Sequence, residues 1–285
     1  MKVSIIAICY NAYSDTIELL ESINQARSKV ELLDFQVIIC DNSNENYIAN
    51  NKDGLIELTE KINTFDYNYK KLNNVGYFPG FSAGKDYIDN IAGSNDWDYV
   101  IVTNVDLQFE EMFFKNLKNI NLPLDVGIVA PSIISKQTKE DINPKIMLRP
   151  KKIKFISLYY GFQFLMFYRV YNWLSVSKAK LRGYKRKYYP KKSYKSGKEM
   201  YAAHGSIMIF SKNYFNQGAS IYYPRFLFGE EVFVAEEARL KGLKTVYFSE
   251  LKIYDNEHGS TSREADRFIS KEHVKSYKYL LKNYF

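Results

Sequence analysis

An alternation of buried strands with amphipathic helices is the feature of this chain that most restricts its fold. The runs Val3–Cys9 and Phe35–Cys40 are mostly apolar and rich in isoleucine, which predicts two buried parallel strands. Between them, apolar residues recur at helical spacing after Asp15. Because strand–helix–strand crossovers are right-handed, we expect the two strands to be parallel neighbours in one sheet.

The same alternation continues along the chain. Its predicted helices cover 50–63, a segment ending at 91 that follows a glycine-punctuated loop over 74–84, then 230–241 and 273–281. Its predicted strands cover 69–72, 99–103, 126–130, 206–210 and 244–248. The predicted class is α/β, with a mainly parallel central sheet flanked by helices. The 285 residues suffice for one large domain or two small ones.

Two cysteines and the first residues of the chain bear on its compartment. Cys9 and Cys40 are the only cysteines, and each ends an apolar run, as expected of small buried side chains in a reducing compartment. Met1-Lys2 leads directly into the first predicted strand without the pattern of a signal peptide. We therefore expect a cytoplasmic protein.

One segment carries the whole excess of positive charge. From 143 to 198 there are 16 Lys or Arg, and the first acidic residue after 143 is Glu199. The remaining 24 basic residues face 32 acidic ones. The segment includes a 20-residue apolar and aromatic run over 155–174, followed by interleaved tyrosines and basic residues. It predicts an anionic partner: a lipid surface, or a nucleic acid whose bases stack on the tyrosines. A buried helix followed by a flexible basic loop is the alternative.

Polar side chains follow the strongest predicted strands. Asp41 follows one strand, and Asn104 and Asp106 follow another. Because ligands of open α/β sheets bind at the carboxyl ends of the strands, Asp106 is a candidate to hold Mg²⁺ or Mn²⁺ beside a diphosphate. A solvated aspartate in a turn is the alternative interpretation.

Further candidates lie in the second half of the chain. Glu230 and Glu231 begin a predicted helix, where the helix dipole alone favours carboxylates, but where one of them could also serve as a general base. His258 and His204 lie in polar segments, and lone histidines are more often structural than ligands. The segment 76–84 matches neither the dinucleotide fingerprint nor the P-loop.

Six short sequence blocks, in their order and spacing along the chain, resemble those of the inverting GT-A glycosyltransferases of the large family 2, particularly their bacterial rhamnosyltransferase-like branch. The resemblance extends from about Val3 to Ser262. Two positions depart from it, since Asn104 replaces the first acid of the usual metal motif and Glu231 replaces an aspartate. The blocks are 3–11, 37–43, 74–77, 103–106, 228–231 and His258.

The resemblance implies an enzyme that moves a sugar, with inversion, from a UDP- or dTDP-sugar to a lipid-linked glycan acceptor in bacterial surface polysaccharide synthesis. It implies a single GT-A domain over 1–285, with a donor-binding half over 1–107 and an acceptor half over 108–285. In that interpretation Asp106 and His258 serve the metal, Glu231 is the base with Glu230 as its substitute, and Asp41 contacts the nucleobase. The residues assigned to the nucleotide sugar are Tyr10, Asn11, Asp41, Asn74, Gly76 and Asn104.

The basic aromatic segment fits this interpretation as a membrane anchor. Residues 155–198 would dock on anionic lipid at the inner face of the cell membrane, where members of the family often act on lipid-linked glycans. A nucleic-acid partner is disfavoured, because the acids at the strand ends would repel a phosphate backbone. A nucleic-acid-binding protein and a catalytically inactive sugar-binding relative are the rival hypotheses.

Overall fold

Strands and helices alternate along the first part of the chain, as the apolar periodicity predicts. The structure, a computed structural model, describes residues 1–31, 34–93, 96–188, 194–256 and 265–285. The elements of this first part are β1 (Lys2–Cys9), α1 (Tyr13–Arg27), β2 (Asp34–Asp41), α2 (Glu45–Asn50), α3 (Lys52–Thr64), β3 (Asn68–Lys71), α4 (Tyr77–Ala92), β4 (Tyr99–Asn104) and β5 (Leu107–Phe109).

The second part carries the remaining strands and the longest helices. Its elements are α5 (Phe113–Asn119), β6 (Val126–Ser135), α6 (Lys152–Gly161), α7 (Leu165–Tyr188), β7 (Lys198–Met200), β8 (Ile207–Ser211), α8 (Lys212–Asn216), α9 (Glu230–Leu240), β9 (Lys244–Asp255) and α10 (Asp266–Asn283). Two strands are longer than predicted: β6 continues through Pro131, and β9 continues to Asp255.

In the described residues the strands form one nine-stranded sheet in the order β3-β2-β1-β4-β8-β6-β9-β5, with β7 paired to β9. The longest ladders are parallel: β1 pairs with β2 and β4, and β6 pairs with β9. The shorter ladders that β8, β5 and β7 make with their neighbours are antiparallel. The structure confirms the α/β class with a mainly parallel sheet flanked by helices.

Both faces of the sheet are covered, because successive residues of each central strand point to opposite sides. In β1, Ile5 packs among the apolar residues of α1, α3 and α5, whereas Ile6 packs with those of α4, α9 and α10. This double burial explains why the central strands are continuously apolar in the sequence. It also leaves the ends of the strands as the places where polar side chains can gather.

The glycine-punctuated segment differs from its prediction. We expected a loop over 74–84, but α4 already begins at Tyr77. Its glycines serve close packing of the helix on the sheet: a Cβ at Gly84 would lie 2.6 Å from both Cys40 Sγ and Ile6 Cγ2. At Gly80 a Cβ would lie 3.2 Å from Asn42 Nδ2. Helical glycines that admit a strand side chain look like turn residues in a sequence.

The apolar run over 155–174 also divides differently from the expectation of a single segment. It forms part of two helices, α6 and α7, and α6 buries Phe155 and Leu158 against the region around Tyr277. Helix α7 instead exposes large apolar side chains, with Trp173 67% exposed. The following basic residues continue α7 as far as Tyr188 rather than forming a loop. Among the described residues, no helix combines the length and the apolar character that crossing a bilayer requires.

Candidate functional site

A cavity of about 840 Å³ lies at the carboxyl ends of β1 and β4. Asn104 and Asp106 line it from the strand side, and Glu230 and Glu231 line it from the start of α9. The carboxylate predicted to serve a metal and the pair predicted to serve as base therefore share one cavity. Tyr10, Asn74 and Gly76 line the same cavity.

The turn that carries Asp106 is held by two neighbouring strands. The Asn104 amide donates to the Ser206 carbonyl at 2.8 Å, just before β8. The Asp106 carbonyl accepts from the Asn256 amide at 3.0 Å, just after β9. The position of Asp106 is thus determined by main-chain bonds to segments far away in the sequence.

Gly229 directly precedes helix α9, and its left-handed backbone (φ +86°) leads the chain into the acid pair at the cavity. A Cβ at Gly229 would overlap Ser276 Oγ of α10 and lie 2.7 Å from Tyr223 Oη. Only glycine satisfies both the left-handed backbone and the close approach of α10. The two glutamates then lie at the amino end of a helix, where the helix dipole favours negative charge.

The two glutamates have different surroundings. Glu231 Oε1 accepts the Gly205 amide at 2.8 Å and Lys145 Nζ at 3.1 Å. Burial disfavours its ionisation, but Lys145 and the Gly205 amide outweigh burial and lower the pKa of Glu231. Burial, and then the charge of Glu231, raise the pKa of Glu230 to about 7.

Tyr77 and His204 border the acid pair as neutral groups. Tyr77 Oη donates to the Gly205 carbonyl at 2.8 Å, and burial together with Glu230, Asp106 and Glu231 raises its pKa well above 10. Burial and then Lys145 lower the pKa of His204 to about 4, while its Nδ1 accepts the Ser206 amide at 3.1 Å. Both groups are therefore neutral near pH 7, and a neutral tyrosine can orient a substrate.

The loop before α4 forms another wall of the cavity. Gly76 is left-handed (φ +97°), and a Cβ there would overlap the Phe226 carbonyl. The side chain of Asn42 holds this loop, since Nδ2 donates to the Gly76 carbonyl at 3.0 Å and Oδ1 accepts the Val75 amide at 3.2 Å. The loop that carries Asn74 and Gly76 is thereby fixed to the end of β2.

Three of the predicted site residues are not brought to the cavity by the described structure. Asp41 is fully buried and does not line it. Its carboxylate accepts Tyr13 Oη at 3.2 Å, Tyr69 Oη at 2.7 Å and the Ser43 amide at 2.8 Å. Asn11 does not line the cavity either, and its main-chain amide donates to Ser43 Oγ at 2.9 Å. His258 lies outside the described residues.

Sequence reasoning missed Lys145, Tyr77 and Asn42 as residues of this site. Tyr77 and Asn42 belong to blocks that carried the resemblance, so their positions beside Gly76 and Asp41 were a usable signal. Lys145 gave no signal of its own, because it is one of many basic residues in the segment 143–198. Its contact with Glu231 joins residues 86 positions apart.

Comparison with known proteins identifies the fold. No model of a protein family and no curated protein matches the chain. Solved structures do: S. aureus TarS 1–349 in complex with UDP-GlcNAc is 13% identical with a TM-score of 0.56, covering 97% of this chain and 66% of that one. GalNAc-T7 with UDP, GalNAc and Mn²⁺ is 11% identical with a TM-score of 0.54, covering 98% of this chain and 48% of that one.

A third structure is the mannosyltransferase PcManGT from Pyrobaculum calidifontis in complex with GDP-Man and Mn²⁺. It is 13% identical with a TM-score of 0.50, and the match covers 98% of this chain and 70% of that one. The chain therefore spans between about half and seven-tenths of these structures, and 39% of a longer structure of S. aureus TarS. At such low identity the likeness establishes the fold, which is that of the GT-A glycosyltransferases.

Proposed function

We propose that this protein is an inverting glycosyltransferase that transfers a sugar from a UDP- or dTDP-sugar to a hydroxyl of a lipid-linked glycan in bacterial surface polysaccharide synthesis. The observation that carries the proposal is the cavity shared by Asp106 and the pair Glu230 and Glu231 at the carboxyl edge of a GT-A sheet. Nucleotide-sugar complexes of proteins with the same fold support it. We assign residues 1–107 to the donor half and 108–285 to the acceptor half.

For the donor, we assign Tyr10, Asn74, Gly76 and Asn104 to direct contact, because they line the cavity. The resemblance implies direct contact between Asp41 and the nucleobase, but its buried carboxylate already accepts three donors. We therefore assign Asp41 and Asn11 an indirect part in binding the nucleoside. Ser43 links the two, and Asn11 follows the cavity residue Tyr10.

The residues present fit a divalent cation of the Mg²⁺ or Mn²⁺ type. The described residues contain no group of three or more His, Cys, Asp or Glu side chains that could hold a metal. Such cations are commonly held by one or two carboxylates and by the phosphates of the substrate, which is the role available to Asp106. His258 lies outside the described residues, and we assign it to the same site on the resemblance alone. When bound, the cation would neutralise charge on the leaving diphosphate.

For the reaction, the acid pair supplies the base. The acceptor hydroxyl attacks the anomeric carbon, its proton passes to a carboxylate of the pair, and the bond between that carbon and the diphosphate oxygen breaks. A carboxylate positioned in this way contributes roughly a factor of 10² to 10⁴ to the rate. The sequence favours Glu231 for this role and leaves Glu230 as its substitute.

A panel of UDP-, dTDP- and GDP-sugars with Mn²⁺ tests the proposal, with thermal shift reporting binding and release of nucleoside diphosphate reporting turnover. We expect one donor to stabilise the protein and to be hydrolysed slowly. Asp106→Ala should abolish that release while leaving the unfolding temperature nearly unchanged. Donor binding without any release would favour the inactive sugar-binding relative, and near-normal release by Asp106→Ala would overturn the metal assignment.

We further propose that α6 and α7 attach the protein to the cytoplasmic face of the membrane. Met166, Val170, Trp173 and Leu174 form an exposed apolar stripe at helical spacing on α7. Lys151, Lys152 and Lys154 are exposed at the start of α6 and can face anionic headgroups. Tyr171 of α7 also lines the cavity, so the stripe borders the place where the acceptor would enter.

Flotation with vesicles containing anionic lipid tests this attachment. Deleting 155–198 would remove the buried Phe155 and Leu158, so surface substitutions give the sharper test. We expect the triple variant Met166→Ser, Val170→Ser, Trp173→Ser to stay with the soluble fraction. The matched control, Ile56→Ser, Leu124→Ser, Leu240→Ser, changes exposed apolar residues elsewhere and should float like the original protein. Equal flotation of both triple variants would refute the assignment.

A further inference from the structure

Adjacent glutamates at the start of α9 differ in how strongly they are held. Glu231 Oε1 accepts two donors, the Gly205 amide at 2.8 Å and Lys145 Nζ at 3.1 Å. Both bonds stabilise the ionised carboxylate and fix its position, and a carboxylate so bonded is a weak proton acceptor. Glu231 is therefore poorly suited to take a proton from a substrate.

Glu230 lies in the same cavity without such donors. Within the described residues, no other residue donates a hydrogen bond to its carboxylate. Burial and the neighbouring charge of Glu231 raise its pKa to about 7, which is the range in which a general base works best at neutral pH. The proton shared by this pair belongs on Glu230 in the free protein.

The other titratable groups near the two glutamates do not change this assignment of the proton to Glu230. Asp106, in the turn just after β4, lines the same cavity. From α4 comes Tyr77 and from the segment before β8 comes His204, and burial keeps both neutral near pH 7. In the part of the chain that the structure describes, Lys145 is the cation that contacts the pair, and its bond goes to Glu231.

We propose that Glu230 is the base that accepts the proton of the attacking hydroxyl, and that Lys145 is a positioning residue that holds Glu231 ionised and in place. This assignment rests on the proposed glycosyltransferase function and reverses the order that the sequence favours. The O–H bond of the acceptor breaks and its proton goes to Glu230. The acceptor oxygen bonds to the anomeric carbon, and the electron pair of the breaking bond leaves with the diphosphate.

Donor hydrolysis separates the two glutamates, because water can take the place of the acceptor. The assay uses the full chain and the nucleotide sugar with the highest diphosphate release in the panel. At pH 8 we expect Glu230→Gln to lower release by a factor of 10² to 10⁴ and Glu231→Gln to lower it less than tenfold. Thermal shift by the donor should persist in both variants, which shows that they fold and bind. The opposite ranking would return the role of base to Glu231.

Lys145 is tested by the pH profile, which a merely structural residue would not shift. Lys145 lowers the pKa of both glutamates, so in Lys145→Met the acidic limb of kcat/KM should move to higher pH by about one unit. Lys145→Arg keeps the positive charge and should restore the original limb. A uniform fall in rate at every pH, with the limb unmoved, would overturn the role given to Lys145. Failure of the original protein to release diphosphate from any donor would instead refute the proposed function itself.

Discussion

The carboxyl ends of β2 and β4 lie on the same edge of the sheet, separated only by β1, but their aspartates have different surroundings. At the end of β2, Asp41 is buried and accepts two tyrosine hydroxyls and a main-chain amide. Just after β4, Asp106 lines a large cavity opposite an acid pair. A position at the end of a strand therefore brings a carboxylate to the carboxyl edge of the sheet, but the side chains around it determine whether it stabilises the fold or can contact a ligand.

The largest contrast should come from removing each aspartate in turn. Asp41→Ala leaves three buried or half-buried donors without their acceptor, at a cost of about 1–3 kcal/mol each. We expect the unfolding temperature to fall by roughly 10–20 °C, since in a chain of this size 1 kcal/mol corresponds to roughly 2–4 °C. Thermal denaturation without ligand measures it.

The matched variant in that experiment is Asp106→Ala, whose unfolding temperature should stay within about 2 °C of the original. Similar losses in both variants would show that the two strand ends are equally structural, and the comparison would then fail.

A smaller effect, of opposite sign, is expected on the cavity side. Because the pKa of Glu230 is raised from 4.5 to about 7, the folded protein holds this proton more tightly than the unfolded chain does. Stability from this group is present at low pH and is lost as pH rises from about 4.5 to above 7. Glu230→Gln removes that loss, so at pH 8 we expect its unfolding temperature to rise by roughly 6–10 °C, for a gain on the order of 3 kcal/mol.

The same denaturation series at pH 5 provides the check on this gain. There the original glutamate is already largely protonated, and the two proteins should unfold at nearly the same temperature. A gain that is independent of pH would mean that Gln stabilises by packing rather than by removing a buried charge.

The smallest effect concerns one of the three hydrogen bonds that the Asp41 carboxylate accepts. Tyr69→Phe removes the 2.7 Å hydrogen bond to its carboxylate but leaves the bonds from Tyr13 and Ser43. We expect the unfolding temperature to fall by about 2–3 °C, for a loss of about 1 kcal/mol. Tyr10→Phe, at the cavity end of β1, is the control and should change it by less than about 1 °C. A larger change in the control would show that the loss of stability does not come from the hydrogen bond to Asp41.

Much of the fold could be predicted from sequence because its signals are local. Continuous apolar runs identified β1, β2 and β4, and helical spacing identified α1 and α9. The order of the polar blocks also brought Asp106 and the acid pair into one hypothesis, and the structure places them in one cavity. Whether these residues perform the chemistry assigned to them stays a prediction.

What could not be predicted depends on contacts between distant residues. The hydroxyls that saturate Asp41 come from Tyr13 and Tyr69, each 28 positions away, and neither pattern nor charge indicates them. The contact between Lys145 and Glu231 is hidden in the same way, because the basic segment was interpreted as one surface. The glycines of α4 were predicted to lie in a loop for a related reason. Their close neighbours belong to β1 and β2, which are distant in sequence.

The contact of Gly229 with Ser276 extends the site to the far end of the chain. Since Ser276 and Leu280 of α10 lie close to Gly229, α10 packs against the start of α9 and supports the glutamates, although it is distant from them in sequence. Leu280 of the same helix also packs in the core that covers one face of the sheet. A substitution on this face of α10 would therefore alter the support of the acid pair and the packing on the sheet at the same time.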